Sequence, residues 1–266
     1  MSQQARDAAY DNLLAVVDSS HLIDARVAAS ARFRDRHRQC LDISYGPRPR
    51  NRWDLFPQKD NAAPCLVFIH GGYWQRNRHE DFAAMATGVH QRGWAAALPG
   101  YTLAPEASLT EIAAEIRLAL DWLAAHGASH GIKGPLILSG WSAGAHLAAL
   151  ALDHPAITAG LAISGVFELG PLRDTYLNEK LHLSDNEVEQ LSPLRLAPVA
   201  KPMAIAYGSK ELPALIKESR DLHAWRAAAH RPGPLVPVAG ADHFSILQAL
   251  QSPHGDLTEQ LLSLVR

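Results

Sequence analysis

Two cysteines, Cys40 and Cys65, are all that the 266 residues contain. Cys65 opens an apolar run, where a thiol packs as a small hydrophobe, so a disulfide framework is not expected. Charge of one sign is also missing: 25 Lys and Arg face 27 Asp and Glu, a formal net charge of -2, with no basic block. Such a balance offers no electrostatic footprint for DNA or RNA, and the expected partner is a small, roughly neutral molecule. No stretch approaches membrane-spanning length, and the opening MSQQARDAAYDNLL lacks the apolar run of a secretory leader. The expected compartment is the cytoplasm, with no membrane partner; a homodimer is left open. Zinc-spaced Cys pairs, H-E-x-x-H, EF-hand loops and phosphate-cradling glycine loops are all lacking, so neither metal nor cofactor is expected.

What is present is apolar sequence in short pieces. With 47% hydrophobic and 20% charged residues the chain can bury a full core as one domain over 1–266. From Cys65 onward, apolar runs alternate with amphipathic ones: CLVFI then Asp81 to Arg92, WAAAL then Leu109 to Ala125, PLILS then Ala143 to Leu152. LAIS, MAIAY followed by Pro213 to Ala229, and LVPVA followed by Phe244 to Leu250 continue the series. Parallel neighbours need crossovers and are buried on both faces, so the pattern predicts a doubly wound α/β domain with a mostly parallel sheet. LDISYG and NRWDLF, joined by turn-rich PRPR, read as an antiparallel hairpin at one edge. Residues 1–38 read as helical and polar enough to lie over the domain. Residues 165–202, after the sixth strand, exceed the usual βα link and read as an inserted cap.

Gly140-Trp141-Ser142-Ala143-Gly144 follows a buried strand and precedes a helix. In that context G-x-S-x-G is a nucleophile elbow: the glycines permit a sharp turn that exposes the Ser142 hydroxyl. The bland alternative is a turn in which Ser142 only caps the helix. A serine hydroxyl needs a base, an orienting carboxylate and donors for the oxyanion. His243, in GADHF at the end of the last strand, is the candidate base among 14 histidines, singled out by its location. Glu211, in the loop after MAIAY, is the candidate acid. Asp242 adjoins His243, and adjacent side chains diverge; the alternative for Glu211 is a solvated carboxylate near a helix start.

CLVFIHGGYW places two glycines and two aromatics at the end of another buried strand. Gly71 and Gly72, with the N–H of Ala143, are the expected oxyanion hole, because glycine lets main chain approach the reacting centre. His70 is expected to fix that loop. Tyr73 and Trp74 either line the pocket or pack the loop onto the core. Phe167, Tyr176 and Leu181 of the cap, with Trp74, Trp141 and Phe244, are the expected pocket wall, the cap closing the site. The alternative is that these side chains, Leu181 above all, pack the insert onto the body.

HGGYW, GYTLAPE (100–106) and GWSAGAHLA resemble the α/β-hydrolases, in the HGG-bearing branch that includes kynurenine formamidases and hormone-sensitive-lipase-like carboxylesterases. SAGAHLA, the segment FELGPLRDTYLNEKLHLSDNEVEQLSPL and GSKELP with KES lean towards the arylformamidases. The resemblance runs from about Leu41 to Leu250. It implies hydrolysis of an aryl formamide, with the acid at Glu211, usually an aspartate there, and the base at His243. Trp141 stands where the formamidases typically carry histidine, a change expected to reshape the pocket. A short-chain carboxylesterase with the same triad is the alternative within the class; a non-catalytic ligand receptor on the same scaffold is the alternative outside it.

Overall fold

In the computed structural model, which describes residues 2–231 and 233–265, eight strands form one sheet in the order β1-β2-β4-β3-β5-β6-β7-β8. β1 (Cys40–Ser44) and β2 (Arg52–Phe56) form the antiparallel edge, and β2 runs antiparallel to β4. β3 (Cys65–Ile69), β4 (Ala95–Pro99), β5 (Leu136–Trp141), β6 (Ile157–Ile163), β7 (Met203–Gly208) and β8 (Leu235–Val238) are parallel. This is an α/β-hydrolase fold.

The sheet forms because β3, β4, β5 and β7 are buried at every position and almost wholly apolar, the Ser139 hydroxyl of β5 being satisfied by Leu161 O at 2.8 Å. Alternate side chains enter two cores: Val67, Ile69 and Leu138 on one face, Leu66, Phe68 and Ile137 on the other. This period of two is what a pleated strand buried on both sides requires.

Three helices precede the sheet: α1 (Gln3–Ala8), α2 (Asn12–Ala15) and α3 (Ser19–Arg36). The crossovers carry α4 (Thr87–Gln91), α5 (Leu109–His126) and α6 (Ala143–Leu150). Ser108 and Glu111 fix the start of α5 with a reciprocal capping box. The insert 165–202 holds α7 (Asn178–Leu181) and α8 (Asp185–Leu191) between short 3-10 turns. α9 (Pro213–Ala228), α10 (Gln248–Gln251) and α11 (Asp256–Ser263) complete the chain.

The segment expected as a helix over 81–92 is a 3-10 run over His79–Ala86 before α4 begins. α3 causes the difference. Arg26 Nε and Ser30 Oγ donate to the Asp81 carbonyl at 3.2 and 2.9 Å, and Ser30 Oγ accepts the Ala84 N–H at 3.1 Å. Side chains thus occupy backbone groups that regular helical bonding would otherwise use. None of the described helices is long and apolar enough to cross a membrane.

After β3 the chain steps to β4 on one side and then crosses to β5 on the other. Strand order reverses between β3 and β5, and the loops beyond their carboxyl ends open a crevice there. HGGYW and GWSAG are those two loops.

Candidate active site

Ser142 has φ +57° and ψ −121°, a conformation that costs a non-glycine residue energy and persists only when its surroundings fix it. They do. Its N–H donates to Ile163 O of β6 at 2.8 Å, and its carbonyl accepts the N–H groups of Ala145 and His146 at 2.9 and 3.2 Å. Gly140 and Gly144 are required by space: a Cβ on the first would meet Gly144 O at 2.2 Å, and one on the second Ile69 O at 2.0 Å. The Ser142 side chain caps no helical N–H, against the capping alternative.

The loops after β7 and β8 bring their side chains to this serine. His243 Nε2 is 3.1 Å from Ser142 Oγ, and Nδ1 is 3.1 Å from Glu211 Oε2. The Glu211 carboxylate is fully buried and accepts two further bonds at Oε1, from Ser164 Oγ at 2.5 Å and Gly208 N–H at 2.6 Å. These donors fix the carboxylate in the plane the imidazole needs. Asp242 turns away: its Oδ1 accepts the N–H groups of Phe244 and Ser245, both at 2.8 Å. Ser164, at φ +52° just beyond β6, was not singled out from the sequence, because nothing in SGVFE distinguishes it from an ordinary loop serine.

HGGYW turns sharply against the elbow. A Cβ on Gly71 would lie 2.6 Å from Trp141 O and 2.9 Å from the Ser142 Cβ, so only glycine lets the two loops touch. Gly72 has φ +121° and lines the pocket with Ser142, whereas Gly71 does not. The N–H groups of Gly72 and Tyr73 have no backbone acceptor among the described residues. Ala143 is the first residue of α6, where helical geometry leaves its N–H free. His70 stacks on Tyr101 with ring centres 4.3 Å apart, and burial pushes it down to about 3, so it is neutral.

A pocket of about 110 Å³ opens above Ser142. Tyr73, Trp141, Tyr176 and Phe244 line it. Trp74, Phe167 and Leu181 do not, and here the expectation is corrected. Trp74 is fully buried and meets the His146 ring edge-on at 4.9 Å. Phe167 is equally buried and packs beneath Gly165, while Leu181 is 3% exposed in the core.

The cover also differs from expectation. Only Tyr176 of the insert reaches the pocket, whereas Asp11, Asn12, Leu13, Ile23 and Arg26 close it from the N-terminal segment. Tyr73 explains the latch: its hydroxyl donates to Tyr10 O at 2.7 Å and accepts from Asn12 Nδ2 at 3.1 Å. Tyr10 in turn donates to Glu218, and the Tyr176 N–H donates to Asp7 at 2.9 Å.

Trp141 combines two roles. It lines the pocket, and its indole N–H donates to His243 O at 2.8 Å. Away from this pocket, Asp42, His79 and Glu80 bring one possible ligand atom each within 4.8 Å of one another. Arg34 and Arg78 already pair with Asp42 and Glu80 there.

A family model described as BD-FAE matches residues 54–155. The kynurenine formamidase of Salmo salar is 28% identical over 94% of this chain and 89% of its own length. That of Danio rerio is 26% identical over 91% and 87%. A solved structure named as a candidate thioesterase, from Silicibacter sp. TM1040, superposes with a TM-score of 0.86 at 28% identity, covering 96% of this chain and 98% of that one. The chain is an α/β-hydrolase, and a hydrolase by activity class. Within that superfamily it is similar to these kynurenine formamidases over most of its length.

Proposed function

We propose that this protein hydrolyses small aryl formamides, N-formylkynurenine among them, through Ser142, His243 and Glu211. The observation that carries the reading is the Ser142–His243–Glu211 chain of contacts beside an aromatic pocket. The full-length similarity to kynurenine formamidases supports the choice of bond.

Ser142 Oγ attacks the formyl carbon while His243 Nε2 takes its proton, and Glu211 holds the resulting imidazolium in orientation. The N–H groups of Gly72 and Ala143 face the developing oxyanion, Gly71 giving the loop its close approach. Collapse of the tetrahedral intermediate passes the proton from His243 to the aryl nitrogen, which leaves as the amine. Water, deprotonated by His243, then attacks the formyl ester on Ser142 and releases formate.

The test compares kcat/KM for N-formyl anilines and p-nitrophenyl esters, alongside covalent labelling by a fluorophosphonate. Hydrolysis of the formamides, with labelling and turnover both lost in Ser142→Ala, is expected; removal of triad members costs on the order of 10⁴ to 10⁶ in kcat. Near-normal turnover by Ser142→Ala overturns the mechanism. The similarity to the Silicibacter structure favours one second reading, cleavage of a short ester or thioester by the same residues. Turnover of esters without formamides would select it, and the absence of both labelling and turnover would favour a receptor.

A further inference from the structure

Arg26 of α3 is 5% exposed, yet forms no ion pair with a carboxylate among the described residues. Its Nε donates to the Asp81 carbonyl at 3.2 Å, and its guanidinium lies 3.9 Å above the Phe82 ring. The two terminal nitrogens donate to no protein acceptor among the described residues. Arg34, ten residues before Ser44 and on the same helix, shows the ordinary arrangement, paired with Asp54 and Asp42 at 2.7 and 3.0 Å. Burial pulls the Arg26 guanidinium down to about 10, opposed by the Asp81 charge, so it stays cationic at neutral pH.

A buried cation with no carboxylate at ion-pair distance is costly, by up to several kcal/mol on the order-of-magnitude scale for desolvated ions, and the Asp81 charge, acting from farther off, offsets only part of it. Arg26 lines the pocket that contains Ser142 and also the adjoining cleft beside Leu22 and Phe244. Stacked on Phe82, the planar guanidinium keeps its edge for a bidentate partner such as a carboxylate. Trp141 neighbours both this cation and the reacting centre: its ring is 5.9 Å from the Arg26 Cζ and 4.8 Å from the His243 ring. One aromatic ring therefore bridges the two positions. Asp11 also lines the pocket, but its side chain accepts the Leu14 N–H at 3.0 Å as the cap of α2.

We propose that Arg26 is a specificity-determining residue that receives a carboxylate carried on the aryl portion of the substrate while the scissile carbonyl lies on Ser142. The near-neutral composition of the chain hides this: an oriented, buried cation in the pocket sets ligand charge more strongly than the net charge does. Arg76, the second arginine lining the pocket, is exposed to solvent and hydrogen-bonds Tyr176, so its charge is the more strongly screened. The identity of the scissile bond rests on the function proposed above; the charge preference does not.

The experiment uses matched pairs of N-formyl anilines, and matched aryl esters, in which one member carries a carboxylate on the ring side chain and its twin the neutral carboxamide. At low salt the full-length protein is expected to prefer the carboxylate twin by at least about tenfold in kcat/KM, mainly through KM, the scale of one charge-assisted contact. Arg26→Gln is expected to bring the two twins within about threefold of each other, and Arg26→Lys to restore part of the gap. The second measurement needs no turnover: 3-phenylpropanoate should protect Ser142 from fluorophosphonate labelling better than 3-phenylpropanamide, and Arg26→Gln should abolish that difference. Equal twins and equal protection in the wild-type protein overturn the proposal, as does a preference that survives in Arg26→Gln. Ester twins that show the preference while formamides are not cleaved would sink the formamide reading and leave Arg26 standing.

Discussion

The Trp141 indole N–H donates to the main-chain carbonyl of His243 at 2.8 Å, so the residue before the elbow serine holds the loop of the proposed base. The two rings are 4.8 Å apart, and Phe244 closes the same wall at 5.9 Å from Trp141. Pocket shape and base position thus depend on one side chain. Trp141→Phe keeps an aromatic wall and removes the donor, and should lower kcat several-fold with little change in the ratio between formamides and esters. Trp141→His, which restores the residue usual in formamidases, should shift that ratio. An unchanged ratio across the substrate panel for Trp141→His would show that the indole does not shape selectivity.

Glu211 and Asp242 make opposite predictions. Glu211 meets the imidazole at 3.1 Å, whereas Asp242 is occupied by two main-chain N–H groups of its own loop. Glu211→Gln should therefore cost on the order of 10² to 10⁴ in kcat, and Asp242→Asn far less. Steady-state rates at fixed pH decide it, and the reverse ranking would reassign the acid.

Ser164 donates to the face of Glu211 that the histidine does not use. Ser164→Ala leaves a buried carboxylate with one fewer donor, a loss of about 1.5–3 kcal/mol for a bond to a charged group. A slower kcat and an acid limb of the pH–rate profile moved from its wild-type position are expected. A merely structural role would lower the melting temperature and leave the pH profile in place.

Glu218 ties the N-terminal segment to the insert, accepting bonds from Tyr10 and from the N–H groups of Phe167 and Glu168. Burial pushes its carboxyl up to about 7, outweighing these bonds, which favour the charged form. A carboxyl raised on folding contributes stability that is present at low pH and lost as pH rises from 4.5 through 7. That loss is worth about 3 kcal/mol. Buried His70 and His146, held down at about 3 and about 4, act in the opposite sense as pH falls. The readout is therefore the difference in urea midpoint between wild type and Glu218→Gln: the variant should lose less stability between pH 5 and 8. Parallel pH dependences would exclude Glu218 as the source.

The amino-acid sequence by itself determined the layers and the serine elbow. Strand identity is written in local apolar runs such as CLVFI and PLILSG, and the need for Gly140 and Gly144 follows from the turn that GWSAG must make. His243 and Glu211 were legible because topology dictates which loops follow the later strands, and the chain order of those loops is a sequence property. Trp74 and Phe167 were misplaced because an aromatic side chain fits a pocket wall or a core equally well; which one it meets depends on neighbours far along the chain. The cover was decided in the same way. Its latch joins Tyr10 to Tyr73 and Asp7 to Tyr176, contacts spanning 63 and 169 residues, and no local pattern of propensity or periodicity encodes them. Ser164 and Arg26 gained their meaning only in three dimensions, because what a serine or an arginine can do depends on burial and on the partner that packing supplies or withholds.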